Sequence, residues 1–170
     1  MNYLFLLILN AVFFGSCNDY ETKIIDYVSI DSTMVSNRVG IGSSETDLRI
    51  VFGKPDSVVK YFDPIIDEIP SYYYYYGKTY FVLISNKVES FKITDNRFEL
   101  LDLHVGDSVK KLAEKYPASY SEKFKTDKNS NFFLVMIGII TNLGVKSDNF
   151  FIIFKINSEQ ILSIEYWENP

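Results

Sequence analysis

Ile41-Gly42-Ser43-Ser44-Glu45-Thr46-Asp47-Leu48-Arg49-Ile50-Val51-Phe52-Gly53-Lys54-Pro55 has a counterpart further along the chain, Val105-Gly106-Asp107-Ser108-Val109-Lys110-Lys111-Leu112-Ala113-Glu114-Lys115-Tyr116-Pro117. Moving the sequence 64 positions along itself (42 to 106) lays Gly42 on Gly106, Ser44 on Ser108, Leu48 on Leu112 and Phe52 on Tyr116. Pro55 then meets Pro117 after a two-residue deletion. Each copy opens with a β-branched residue before Gly and goes on to a helix start. Ser44 with Asp47 three residues later is a capping-box pattern, and Asp107 stands where it can cap the second helix. Leu48, Val51 and Phe52 fall on one helical face, as do Val109, Leu112, Ala113 and Tyr116. Pro55 and Pro117 cannot continue a helix and close the two segments.

Strand patterns follow each helix. The first set is predicted over 57–62, 71–76, 79–85 and 87–94, and the second over 119–123, 131–140, 149–156 and 160–167. Gly77-Lys78 and Asn86-Lys87 read as tight turns, with Asn157-Ser158-Glu159 a slightly longer one. The closing strands also match: Val88-Glu89-Ser90-Phe91-Lys92-Ile93 lies on Ile161-Leu162-Ser163-Ile164-Glu165-Tyr166 and shares its central Ser. The expected fold class is therefore α+β, with two tandem helix-plus-antiparallel-meander repeats, residues 39–100 and 101–170. They would form a sheet with helices packed on one face.

Upstream of this unit the sequence changes character. Residues 3–14 are an apolar run of signal-peptide length, too short for a bilayer span of roughly 20 residues. Gly15 and Ser16 follow, then Cys17, the only cysteine among 170 residues. Phe14-Gly15-Ser16-Cys17 resembles the lipobox of bacterial lipoproteins. That resemblance implies a signal peptide over 1–16, a diacylglyceryl group on Cys17, and membrane attachment through it. The n-region departs from the pattern, since Lys23 is the first basic residue. Residues 17–38 then read as the anchored Cys and a polar tether. The implied location is the cell envelope, as an outer-membrane lipoprotein facing either the periplasm or the surface.

Gly42 and the segment Leu48-Arg49-Ile50-Val51-Phe52-Gly53-Lys54-Pro55-Asp56, with the aromatic strand and Lys87-Val88 behind it, resemble the BamE/SmpA pattern of small outer-membrane lipoproteins. The tandem arrangement is similar to β-lactamase inhibitory protein (BLIP-like), two α/β units side by side. The second copy departs from the Gly-Lys-Pro motif at Lys115-Tyr116-Pro117. The resemblance implies helices on one sheet face and an open face that docks a partner protein, in scaffolding, assembly or inhibition and immunity.

Composition narrows the chemistry. One Cys excludes an intrachain disulfide, and one His (His104) with one Cys is too few for a Cys/His zinc site. Any Ser-His-Asp catalysis would have to pass through His104, which is more simply a loop residue. A net charge of −5 without a basic tract argues against nucleic-acid binding. Asp63, Asp67 and Glu68 form a Pro-bounded acidic loop without the spacing or Gly of a calcium site. No cofactor motif is present, and the chain reads as non-enzymatic.

The run Tyr72-Tyr73-Tyr74-Tyr75-Tyr76 is the candidate partner surface. On a strand its side chains alternate, Tyr72, Tyr74 and Tyr76 on one face and Tyr73 and Tyr75 on the other. Tyrosine combines apolar area and a hydroxyl with few torsions to freeze, which suits an interface. Residues 132–137 and 150–154 are apolar on both faces, which requires cover on both sides. The alternative function is a binding module for a small apolar ligand or glycan in a sheet cavity. Gly138 marks a bulge. Asp31-Ser32-Thr33, Asp56-Ser57-Val58 and Asp107-Ser108-Val109 resemble the O-glycosylation triplet of Bacteroidetes, with Ser32 the plausible acceptor.

Overall fold

The computed structural model describes residues 25–168, apart from Ile66, Thr126 and Asn129. The expected signal peptide, residues 1–16, and Cys17 lie outside the described residues. The chain folds as an α+β structure around one eight-stranded mixed sheet. Its strands in chain order are β1 (Tyr27–Ser29), β2 (Ser57–Tyr61), β3 (Ser71–Tyr76), β4 (Thr79–Ile84) and β5 (Lys87–Ile93). After a two-stranded hairpin, β6 (Glu99–Leu100) and β7 (Leu103–His104), come β8 (Phe133–Ile140), β9 (Lys146–Ile156) and β10 (Ile161–Glu168). In space the order is β1-β8-β9-β10-β5-β4-β3-β2. Every neighbouring pair is antiparallel except β1 on β8, which is parallel.

Among the described residues three short α-helices accompany the sheet: α1 (Glu45–Phe52), α2 (Val109–Lys115) and α3 (Pro117–Ser121). The apolar faces predicted for α1 and α2 are the ones buried. Leu48 and Leu112 are fully enclosed, and Val51, Phe52, Val109 and Tyr116 pack with them. They meet one face of the sheet, where Phe81, Phe91, Phe154, Ile137, Ile152 and Ile164 form the centre of the core. Phe52 stacks on Phe81 at a centroid distance of 5.5 Å. Packing of this apolar face, more than the intrinsic propensity of seven- or eight-residue helices, holds them in place.

The two helix starts are tied to their closing strands by matching backbone bonds. Gly42 N–H donates to Val88 C=O at 2.7 Å, and Gly106 N–H to Ile161 C=O at 2.9 Å. Val88 N–H donates to Ser43 C=O, and Ile161 N–H to Asp107 C=O, both at 2.9 Å. Glu45 N–H reaches Asn86 C=O at 3.1 Å, as Val109 N–H reaches Glu159 C=O at 3.0 Å. The capping box of α1 is present in both directions, with Ser44 Oγ accepting from Asp47 N–H and Asp47 Oδ2 from Ser44 N–H.

Four local expectations are corrected. The segment 119–123 is not a strand, because Pro117 occupies the first turn of α3 and starts that helix instead of only closing α2. The cap of α2 is Ser108; Asp107 sits one residue earlier and accepts from the N–H of His104. The β4–β5 turn is Ser85-Asn86, both at positive φ as a two-residue hairpin turn requires. Finally, the tether does not extend to residue 38. Tyr27–Ser29 pair with Gly138–Ile140, and Thr33, Val35 and Val39 are buried. The bulge expected at Gly138 is present, and the glycine has a second role. A Cβ there would lie 2.4 Å from Cε1 of Tyr27, so the missing side chain is what lets β1 dock.

Candidate functional site

The tyrosine run is β3, and its alternation is the one expected. Tyr74 and Tyr76 face the helices and are buried, while Tyr72 is half-buried on the same side. Tyr76 packs edge-on against Phe52 and Phe81, and its hydroxyl donates to Gly53 C=O at 3.1 Å. The Arg49 guanidinium lies 5.5 Å over the Tyr74 ring. Burial pushes both the Tyr74 and the Tyr76 hydroxyl above the ordinary phenol range. These three tyrosines belong to the core.

Tyr73 and Tyr75 emerge on the opposite, helix-free face. Tyr80 of β4 stands between them, at centroid distances of 5.5 Å to Tyr73 and 5.6 Å to Tyr75. Burial within this trio raises the Tyr80 hydroxyl as well. The β2–β3 register places Val59 opposite Tyr73 and Tyr61 opposite Ser71, so Val59 and Tyr61 share this face. Both are at least half exposed. β2 is the outer strand, exposed at all five residues, and the patch continues to the margin of the sheet.

The same face carries a second feature over β8, β9 and β10. Leu134, Met136 and Ile153 form the floor of a cleft of about 440 Å³, walled by Phe132 and Trp167. The segment before β8 pairs with the edge of that strand, Phe124 bridging Leu134 through reciprocal backbone bonds of 3.0 and 2.8 Å, and Phe124 lines the cleft from there. Strands apolar on both sides are thus covered by helices on one face and partly covered by their own preceding loop on the other. Between this cleft and the tyrosine patch lies the Lys92–Glu165 ion pair, at 2.6 Å. The pair was missed in the sequence because its partners stand 73 residues apart (92 to 165).

The remaining candidates lie elsewhere. Ser32 ends a single 3₁₀ turn, Ile30–Ser32, and is exposed. Asp63 and Asp67 satisfy each other's loop, with Asp67 Oδ2 accepting from Asp63 N–H at 2.7 Å. Among the described residues no group of three His, Cys, Asp or Glu could hold a metal ion. His104 has two acidic neighbours, Glu99 Oε2 at 3.6 Å and Asp107 Oδ2 at 3.9 Å. It sits in the β6–β7 hairpin and is not among the residues lining the cleft. For Asp107 burial disfavours the charge, but hydrogen bonds from Lys111 and from the His104 N–H outweigh it. They hold its carboxyl below the ordinary carboxylate value.

No protein-family model matches this chain, and no curated protein matches it. Its fold is similar to part of a crystal structure of an extracellular protein containing an SCP domain from Bacillus anthracis str. Ames. The identity is 12% and the TM-score 0.49, with 81% of this chain and 46% of that chain covered. The chain therefore spans less than half of that protein, and a likeness this distant defines neither a family nor a function. Among the described residues no helix is long and apolar enough to cross a membrane.

Proposed function

We propose that this is a non-enzymatic, lipid-anchored protein of the cell envelope whose open sheet face docks a partner protein. The observation that carries the reading is the Tyr73-Tyr75-Tyr80 trio. It stands on a face without helices and runs through Val59 and Tyr61 to the outer strand. Clustered tyrosines that are only partly covered are the composition of an interface core. Anchoring through Cys17 follows from the lipobox resemblance and places the domain at an outer-membrane surface.

The two halves, 39–100 and 101–170, are read as tandem copies in the BamE/BLIP-like manner. The three pairs of matching backbone bonds at the helix starts support this, since each relates positions 64 apart to positions 73 apart (42 to 106, 88 to 161). The docking role would be scaffolding, assembly, inhibition or immunity.

The test compares the wild type with the double variant Tyr73→Ala/Tyr75→Ala, each affinity-purified from detergent-solubilised membranes. A stoichiometric protein recovered with the wild type and lost with the variant supports the reading. Equal recovery by both removes the tyrosine face from it. A second reading, a binding module for a small apolar ligand or glycan, is favoured by one specific observation, the cleft over β8–β10.

A further inference from the structure

The cleft is built for a particular chemistry. Its volume of about 440 Å³ lies within the range of small-molecule sites, roughly 300–1,000 Å³. Along the strand direction its lining runs from Phe132 to Met136, four residues or about 13 Å at strand spacing. Met136 on the floor is unbranched and soft, and it adapts to a flexible occupant.

The charges at the rim decide the class of ligand. Three charged side chains line the cleft: Lys92, Lys155 and Glu165. Lys92 and Glu165 neutralise each other at 2.6 Å. Lys155 has no ion-pair partner among the described residues; its Nζ lies 3.6 Å from the centroid of the Phe132 ring. The cleft therefore carries one uncompensated ammonium, in a chain whose net charge is −5. A neutral apolar ligand would cover that ammonium and strip its water without offering a counter-charge, which is costly. An apolar chain ending in a carboxylate fills the walls and supplies the charge.

We propose that this cleft binds a medium-chain fatty acid, with its hydrocarbon along β8 and β9 and its carboxylate at Lys155. This rests on the small-ligand reading above and is independent of the docking of a protein partner. Ile25, Phe124 and Met136 line an adjoining depression, so the chain enters the fold beside the cleft. Cys17 precedes Ile25 by eight residues (17 to 25), and removing the thiol keeps the acyl group expected there out of the measurement.

The experiment therefore uses the full chain carrying Cys17→Ser. The single tryptophan, Trp167, is a wall of the cleft, so its emission reports on occupancy. Decanoate, 1-decanol and decylamine are titrated below the concentrations at which they aggregate. Saturable emission changes are expected, with decanoate about fivefold tighter than decanol, the scale of a partly exposed ion pair, and decylamine the weakest. Lys155→Met should bring decanoate and decanol to equal affinity. Decanoate binding no tighter than decanol in the unsubstituted cleft overturns the fatty-acid assignment and leaves the small-ligand reading standing. Retention of the preference in Lys155→Met, with far-UV circular dichroism unchanged, also overturns it. If no ligand gives a saturable change, both fall.

Discussion

Lys92 and Glu165 are directly opposed on β5 and β10, with Nζ 2.6 Å from Oε1, at the junction that joins the two halves of the sheet. They are also the same position in the two closing strands when Val88–Ile93 is laid on Ile161–Tyr166. Phe91 faces Tyr166 on one side of the pair and Ile93 faces Ile164 on the other. This pairing is what the tandem copies proposed above would make about a local two-fold axis. The ion pair separates the tyrosine patch from the cleft.

About one third of each side chain of this pair is exposed, so its energetic contribution is expected to be small. A double-mutant cycle with Lys92→Met and Glu165→Gln, read by urea unfolding, should give a coupling of about 0.5 kcal/mol. Added salt should reduce it further. A coupling several times larger would show a junction held by charge instead of by Phe91, Ile93, Ile164 and Tyr166.

The five tyrosines of β3 should divide by parity. Tyr74→Ala and Tyr76→Ala each remove a buried ring and should cost about 3–5 kcal/mol, as other large aromatic truncations do. Tyr73→Ala and Tyr75→Ala should cost about 1 kcal/mol, within the range of ordinary surface changes. Chemical denaturation of the four single variants checks the pattern, and equal costs on both faces would mean the open face is covered.

Gly138→Ala should loosen the first strand. The new Cβ would meet the Tyr27 ring at 2.4 Å, and overpacking of this kind costs about 1–3 kcal/mol. Tyr27→Ala in the same chain should recover part of the loss. Hydrogen exchange adds a local reading: the Gly138 N–H, which donates to Asp26 C=O at 2.9 Å, should lose protection in Gly138→Ala.

Asp107 gives the fold a dependence on acid. Its folded carboxyl is held below the ordinary value of 3.8, so it contributes stability above that pH and loses it as pH falls through the depressed folded value. Lys111, its main partner, has half its side chain exposed, which limits the effect to about 0.5 kcal/mol. Asp107→Asn should therefore be less stable than the wild type at neutral pH by about this amount. The two should converge as the pH is lowered below about 4, followed by thermal unfolding across that range.

Ser44→Ala removes the reciprocal cap of α1 and should cost about 1 kcal/mol. Ser44→Asp, which keeps an acceptor at the cap, should cost less. Thermal unfolding of the two variants side by side distinguishes loss of the cap from a general effect of substitution.

Much of this architecture was legible because its signals are local. The Ser44–Asp47 box, the apolar faces of α1 and α2 and the alternation of Tyr72–Tyr76 each depend on residues a few positions apart. The errors came where a local signal had two readings. Pro117 ends one helix but also suits the first turn of another, and a mixed stretch such as 25–32, with Ile25, Tyr27, Val28 and Ile30 among acids and serines, carries no sign that a glycine more than a hundred residues away leaves room for its tyrosine.

The sequence by itself determined α1, α2, the strands β2–β5 and β8–β10, and the side of each strand on which its side chains fall, because helical and strand periods are written in neighbouring residues. It also placed the single cysteine where a lipoprotein would carry one. Only the tertiary structure decided which face stays uncovered, that Tyr27–Ser29 complete the sheet, and that Lys92, Lys155 and Glu165 meet around one apolar cleft. Those are contacts between distant segments, fixed by the pairing of β5 with β10 and of β8 with β9, and no short window of sequence contains them.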